Sequence, residues 1–563
     1  MQEQGKHRSR MTFARAAFTI HSWLGLSFCL LLTVILLSGT LAVFHKEIDW
    51  LIYPQSRVTP SSERAGIDRV LVAVQAAHPE MGLIGEVPVQ GQGPRTALNI
   101  IVVSPKDGVR RIWVDPYRGV VQGTTPFMTP GYFISQFHSF LMIPTWGYAI
   151  VCSFTFFMLA SLVTGLINYR KFWRGFFRRP RRRNLRTLMG DLHRLGGVWS
   201  IWFLVIMVLT SSFYFWIRVG EPLLNFPQAI VEHEHPKIAD EVLDRMGPQP
   251  PKMLPLDTLA QRVHKALPDF DIRYVHLPET HGAPVTFTGN TGEFFGPNLS
   301  EVFVDPYRGD ILGHHLSRDG MSFAFVRVLT DAFHFGDFSG LISKAVWFVF
   351  GLITTGLALS GVIIFWKRTA RLSVTRQIPA NHQVWRTIRP WGGAMGILKP
   401  VNIAILVLAV AASVMTLRFY SAAADERAAN FTAQTIGPWK MGALMIAGLG
   451  DTSDPVRPGA RTMVLVRFCP ACWRDIKRLW INIGPQSLGS AQERVVGQPG
   501  FARANVRLPQ VIESSTRLWM VAEGWDGERY ETSWPVIGPR THKPETAEMG
   551  GLRSLDWLDQ RPL

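Results

Sequence analysis

Four histidines fall into two matched pairs. His21 is followed 18 residues later by Gly39, and His193 is followed 18 later by Ser211. His138 precedes Gly165 by 27 residues, and His334 precedes Gly361 by the same interval. Neighbouring residues agree as well: Phe137-His138 against Phe333-His334, and Thr164-Gly165 against Ser360-Gly361. If two copies of one unit pack about a pseudo-two-fold axis, His21 meets His193 and His138 meets His334. Each pair could then ligate one metal from opposite sides. Imidazole is a good axial ligand for haem iron, and a bis-histidine arrangement favours electron transfer because no position is left open for oxygen. The alternative reading is that each histidine caps a helix or snorkels at an interface. Four of them in two symmetry-related pairs, beside spans without charges, favour ligation. Gly25, Gly39, Gly165, Gly196, Gly197 and Gly361 would let helices approach a flat macrocycle, although small residues are common at any helix contact.

A second candidate is the pair Cys469 and Cys472. Trp473 follows where attachment of a c-type haem needs histidine, so that reading fails. Two cysteines without a nearby histidine pair do not complete a zinc site. A redox-active dithiol, a structural disulfide and a soft-metal ligand pair remain open. Cys29 and Cys152 lie in apolar runs and read as small membrane side chains.

These residues need elements to hold them. The chain has 563 residues, 47% hydrophobic and 18% charged, and its mean hydropathy is only +0.11. That mixture implies membrane spans separated by sizeable soluble parts. A span needs about 20 apolar residues, and five segments qualify: Ile20–Phe44, Trp146–Ile167, Leu195–Ile217, Ala345–Trp366 and Val401–Leu417. The first is too long for a signal-peptide core and is expected to be retained. The net charge of +17 is concentrated beside these segments, above all between Arg170 and Arg186. That is the topology signal of a membrane protein, not a nucleic-acid face, and no nucleic-acid partner is expected. The positive-inside rule puts the N-terminus and the basic loops in the cytoplasm of a bacterial inner-membrane protein, with the C-terminal region in the periplasm.

Three regions, about 45–140, 219–338 and 420–563, are then soluble. In the first two, a helical stretch (Ile67–Ala77; Leu256–Leu267) precedes short strands such as Thr96–Val103 and Val285–Thr288. The third offers only β-rich runs and reads as a small sandwich. The hexapeptide Val114-Asp115-Pro116-Tyr117-Arg118-Gly119 recurs intact as Val304-Asp305-Pro306-Tyr307-Arg308-Gly309, and its residue types suit a structural hairpin turn. With two spans per copy, both copies enter the membrane in the same sense, which makes a parallel repeat. No span carries Asp, Glu, Lys or Arg near its middle, which disfavours a proton- or sodium-coupled carrier. No dinucleotide fingerprint is present.

Residues from about 10 to 370 resemble the PepSY-associated transmembrane family. The resemblance rests on the entries from His21 to Gly25 and from His193 to Gly197, on the Ser38-Gly39 to Glu47-Ile48-Asp49 exit, on the paired hexapeptides and on the Phe-His steps. It implies two b-type haems held by His21 with His193 and by His138 with His334. It also implies paired PepSY-like domains and electrons passing outward to a periplasmic ferric siderophore or similar acceptor, as in di-haem ferric-chelate reductases. The donor, a quinol, a flavin or a separate protein, stays open.

The expected architecture is a membrane α-helical bundle of five spans, the first four a tandem duplication, with two periplasmic α+β PepSY-like domains and a C-terminal all-β domain. Its parts are 1–44 (N-terminus and first span), 45–140 (first soluble domain), 141–218 (second span, basic loop, third span), 219–338 (second soluble domain), 339–368 (fourth span), 369–419 (linker and fifth span) and 420–563 (β-rich domain with the cysteine pair). Two other readings compete with electron transfer: a haem-free regulator that restrains a periplasmic protease or partner, and an iron-chelate uptake permease.

Overall fold

The computed structural model describes residues 13–78, 82–83, 86–91, 93–104, 108–143, 146–169, 171–220, 236–292, 300–316, 323–374, 392–421, 428–447, 458–459, 461–468, 472–488, 493–498 and 501–536. The chain forms two compact units. One comprises Met1–Ile48, Pro130–Ala229 and Arg327–Thr416; the other comprises Asp49–Thr129, Ile230–Val326 and Leu417–Leu563.

The first unit is helical, because its sequence is apolar in long runs that must satisfy their backbone hydrogen bonds internally. Its helices are α1 (Phe13–Ser27), α2 (Cys29–Ala42), α3 (Pro130–Phe140), α4 (Gly147–Asn168), α5 (Leu185–Trp199), α6 (Ile201–Phe215), α7 (Phe323–Phe335), α8 (Gly340–Val374) and α9 (Gly392–Ser421). Among the described residues four stretches are long and apolar enough to cross a membrane: Gly147–Asn168, Ile201–Gly220, Gly340–Ile364 and Pro400–Leu417. The expected first span is not one straight helix, since α1 and α2 are bent by 68° at their junction and count as a fifth span only as a pair. Phe28 leaves helical geometry there (φ −113°, ψ 6°), and its ring stacks on Phe157 at 4.3 Å. The third span shows the matching break. Ser200 (φ −89°, ψ 2°) separates α5 from α6, 172 residues after Phe28, the same offset that separates His21 from His193. The fourth span begins earlier than the apolar run, taking in Lys344, whose Nζ pairs with Glu47 at 2.6 Å.

The packing exchanges partners between the halves. Helix α4 packs on α1 of its own half and on α6 of the other, while α8 packs on α5 of its own half and on α2 of the other.

In the second unit, helix Ile67–Ala77 lies with a four-stranded antiparallel sheet ordered Gly82–Leu83, Leu98–Ser104, Gly108–Asp115, Val120–Pro126. Helix Leu256–Ala266 lies with a five-stranded sheet ordered Glu86–Pro88, Asp271–His276, Val285–Asn290, Ser300–Val304, Ile311–His315. Strand Glu86–Pro88 therefore leaves its own segment to pair with Asp271–His276. The two sheets and helices close over a single core that includes Leu71, Ile100, Ile112, Leu259, Phe287 and Val302. Apolar residues on one face of each helix and alternating along each strand make this burial possible.

The repeated hexapeptide is a turn in both places. Asp115 Oδ1 accepts from the backbone N–H of Tyr117 and Arg118 at 2.8 and 3.1 Å, and Asp305 Oδ1 from Tyr307 and Arg308 at 2.8 and 3.0 Å. Gly119 and Gly309 follow with φ of +63° and +75°, a backbone region that favours glycine. Each tyrosine hydroxyl donates to a backbone carbonyl, Tyr117 to Pro94 and Tyr307 to His281.

The C-terminal region is a β-sandwich. A five-stranded sheet (Ala428–Ile436, Trp439–Ala447, Arg461–Phe468, Phe501–Arg507, Val496–Gln498) and a four-stranded one (Glu493–Arg494, Ile476–Gly484, Arg517–Gly524, Arg529–Pro535) share a core with Met441, Val464, Ile481, Leu518 and Trp534. Cys472 is buried beneath it and disulfide-bonded. Cys469 lies outside the described residues.

Candidate functional site

The four histidines sit on four different helices of the first unit, and the packing brings them together in the expected pairs. His21 of α1 and His193 of α5 have ring centroids 6.3 Å apart, and His138 of α3 and His334 of α7 have the same separation. Two imidazoles bound to one metal from opposite sides, each through a bond of about 2.0 Å with its ring centre about 1.1 Å beyond the nitrogen, have centroids about 6 Å apart. The spacing is therefore right for a shared metal in both places. It is too long for a direct hydrogen bond between the rings.

Each ring is held through Nδ1. His21 Nδ1 lies 3.1 Å from Ser161 O and 3.1 Å from Thr164 Oγ1, both on α4. His193 Nδ1 lies 2.9 Å from Ser360 Oγ on α8. His138 Nδ1 lies 3.0 Å from Ile35 O and 3.4 Å from Ser38 Oγ on α2, and His334 Nδ1 lies 3.0 Å from Thr210 Oγ1 on α6. In every case the hydroxyl gives its own proton to a helix carbonyl: Thr164 to Ala160, Ser360 to Leu357, Ser38 to Ile35, Thr210 to Ile206. A hydroxyl has one proton, so toward the imidazole it must accept. All four rings are thereby fixed as the Nδ1–H tautomer, with the Nε2 lone pair free to ligate. That is the outer-shell arrangement expected of metal-bound histidine.

The supporting hydroxyls repeat with the ligands. Ser38 and Thr210 differ by 172 positions, as do His21 and His193; Thr164 and Ser360 differ by 196, as do His138 and His334. Sequence reasoning noted Thr164 and Ser360 only as context and gave Ser38 and Thr210 no role, though the matched offsets marked all four.

The glycines divide. A Cβ on Gly39 would come within 2.6 Å of His138 Cε1, so the ring occupies the space a side chain would need. At Gly165 and Gly361 a Cβ would sit 3.6 and 3.7 Å from the Cε1 atoms of His21 and His193, an ordinary contact. Gly25 and Gly197 have nothing within 4 Å, and Gly196 packs against Ile353 and Leu357 of α8.

One feature breaks the symmetry. The Tyr214 ring meets His334 edge-on at 5.1 Å, and its hydroxyl donates to Asp331 Oδ1 at 2.5 Å. The positions corresponding to Tyr214 and Asp331 in the first half, at offsets of 172 and 196, are Ala42 and Ser135. The polar pair was not foreseen, because Asp331 lies outside the apolar runs that define the spans. His45, which has no match in the repeat, bonds Ala42 O through Nδ1 at 2.8 Å, and His314 and His315 lie on strand Ile311–His315 of the second unit. Among the described residues no group of three or more His, Cys, Asp or Glu converges as a protein-only metal site would.

Two family models match the chain. Residues 400–537, which hold most of α9 and the β-sandwich, match one described as an uncharacterised conserved protein. No curated protein matches the chain. Residues 18–368, which hold all four histidines and both hexapeptide turns, match the family described as the PepSY-associated TM region, and the chain belongs to that family.

Proposed function

We propose that this protein carries electrons across the membrane through two haems, one held by His21 and His193 and one by His138 and His334, and delivers them to a ferric chelate such as a siderophore. The observation that carries this reading is the fourfold pattern of Nδ1 held by a hydroxyl, with ring centroids 6.3 Å apart in both histidine pairs. A pair of histidines supplies two ligands, which suits a metal whose other four positions come from a macrocycle. Haem iron, when bound, supplies a one-electron carrier.

The protein's part is positioning and insulation. Four helices fix the imidazole tautomers, so His21 with His193 and His138 with His334 would hold the iron through their remaining nitrogens. Along α1 and α2, His21 and Ser38 are 17 residues apart, as are His193 and Thr210 along α5 and α6, so the two pairs are at most about 25 Å apart. Between those levels the helices carry aromatic walls, Phe28 with Phe154 and Phe157 on one side, and Trp202, Phe203, Trp347 and Phe350 on the other. With the basic loops in the cytoplasm of an inner-membrane protein, the His21–His193 pair is the entry and the His138–His334 pair the exit. The duplicated architecture reflects a tandem repeat of one two-span unit, and the two α+β domains of the second unit are PepSY-like modules.

The test is the absorption spectrum of detergent-purified protein made with ample haem. A Soret band with reducible, split α/β bands and two haems per chain is expected. His138→Ala should leave one haem, and protein without any such bands would end the proposal. A haem-free regulator or a permease would show none.

A further inference from the structure

We propose that an open cleft on the basic loop between α4 and α5 binds the headgroup of an anionic phospholipid. The cleft is shallow and open to solvent, and it is lined by Tyr169, Arg178, Arg179, Asp191, Arg194 and Leu195. Three arginines against one aspartate leave a surplus of two positive charges. Asp191 is already engaged, accepting from Arg181 N and Nε at 3.0 Å each and pairing with Arg194. Among the described residues Arg178 and Arg179 have no carboxylate partner, so two guanidinium forks remain for an incoming phosphate, the geometry arginine matches best. Gly175 keeps the floor open, since a Cβ there would collide with the Tyr169 hydroxyl.

The choice of a lipid over an acidic protein rests on the aromatic residues in the same loop. Trp173 is 58% exposed and Phe177 is 93% exposed, beside the 3-10 turn Phe172–Gly175 that follows the end of α4. Aromatic side chains interleaved with arginines, one turn beyond a membrane helix, suit the boundary between acyl chains and headgroups. A soluble acidic partner would leave Phe177 in water. The loop is tied to α5 by Trp199 Nε1, which donates to Phe176 O at 2.9 Å. Helix α5 thus carries Asp191 and Arg194 toward the cleft and His193 toward its ring partner. A bound headgroup would clamp the helix that presents His193. The site stands whether or not the histidines hold haem.

The experiment is native mass spectrometry of the whole detergent-purified, delipidated protein titrated with phosphatidylglycerol or phosphatidylcholine of the same acyl chains. Phosphatidylglycerol should bind at least about tenfold tighter. Replacing Arg178 and Arg179 together by Gln should reduce it to the phosphatidylcholine level, and replacing both by Lys should restore much of the difference. The charge-matched pair Arg182→Gln and Arg183→Gln, outside the cleft, should bind as the parent does. Equal binding of the two lipids, equal loss in both Gln pairs, or uptake of inorganic phosphate without phosphatidylglycerol would each overturn the proposal.

Discussion

His21 and His193 meet with their ring planes crossed at 87°, whereas His138 and His334, at the same 6.3 Å separation, lie within 25° of parallel. The orientations follow from the outer-shell bonds, since each Nδ1–H is aimed at a hydroxyl on its own half of the chain. Ligand orientation set in this way tunes the electronic state of a bound metal. Electron paramagnetic resonance of the oxidised, haem-loaded protein should therefore show two different low-spin ferric signals. A strongly anisotropic one should vanish in His21→Ala, and a resolved rhombic one in His138→Ala. Two identical signals would contradict the crossed and parallel geometry without touching the haem assignment.

The hydroxyl acceptors give a second prediction. A hydroxyl that accepts from Nδ1–H makes the imidazole a more basic ligand and favours ferric iron. Thr164→Val removes one such bond to His21, worth about 1 kcal/mol. Only the part of that energy that differs between ferric and ferrous iron moves the potential, so the midpoint of the crossed site should rise by up to about 40 mV, with the other site unmoved. Ser360→Ala should act in the same direction through His193. Potentiometric titration reads both, and a downward shift would refute the assigned tautomer.

Gly39 and Gly165 separate packing from mere helix contact. Because a Cβ at position 39 would fall 2.6 Å from His138, Gly39→Ala should displace that ring and cost the haem it shares with His334. Gly165→Ala, with 3.6 Å to His21, should keep both haems. Haem-to-protein ratios near one and two, respectively, are the expected result.

Most of this arrangement was legible in the sequence because it is periodic. The 18- and 27-residue intervals paired the histidines, and the apolar stripe of Ile67–Ala77 gave that helix its observed bounds. Local rules fail where a tertiary contact decides. Gly25 lies three residues before Phe28, and Gly196 and Gly197 lie four and three before Ser200, but a glycine inside an apolar run does not by itself mark a helix break. Strand Glu86–Pro88 is too short to reveal that it pairs with Asp271–His276. Asp68 and Asp257 stand in the first turns of their helices, and nothing in the sequence marks that each caps the other's helix.

That mutual capping makes a pH-dependent joint. Asp68 accepts from Leu256 N and Asp257 N at 3.0 and 3.1 Å, and Asp257 accepts from Ile67 N at 2.7 Å and Asp68 N at 3.3 Å. Burial, together with the nearby Asp257 carboxylate, raises the Asp68 carboxyl to about 6 from 3.8. A folded-state value above the unfolded one means that protonation favours the folded joint. The stabilisation is complete below the unfolded value and is lost as pH rises through about 6. Unfolding of the second unit should thus occur at a higher temperature at pH 5 than at pH 7.5. Asp68→Asn removes the titrating group together with one of the two N–H acceptors, so it should lower the unfolding temperature at pH 5 and flatten its dependence on pH between 5 and 7.5.

The C-terminal sandwich meets the rest of the second unit at Trp525, Lys477 and Arg478, with Arg503 reaching Glu279 at 3.5 Å. Trp525 is buried with Ile238 and Leu243, its Nε1 donates to Arg474 O at 2.8 Å, and its ring meets His281 at 5.1 Å. Lys477 pairs with Asp244 at 2.5 Å and lies 5.5 Å from the Trp525 ring centre, while Arg478 reaches Asp240 and Asp244 at 3.2 and 3.0 Å. Removing a buried tryptophan costs about 3–5 kcal/mol, whereas Asp240 is a half-exposed carboxylate and one of three that reach Arg478. Trp525→Ala should therefore release the sandwich. Limited proteolysis would yield it as a fragment beginning after α9, whereas Asp240→Asn should not. If the two haem ligand pairs depend only on the first unit, the released protein should keep its full haem spectrum. Loss of haem in Trp525→Ala would show instead that the sandwich supports the ligand helices.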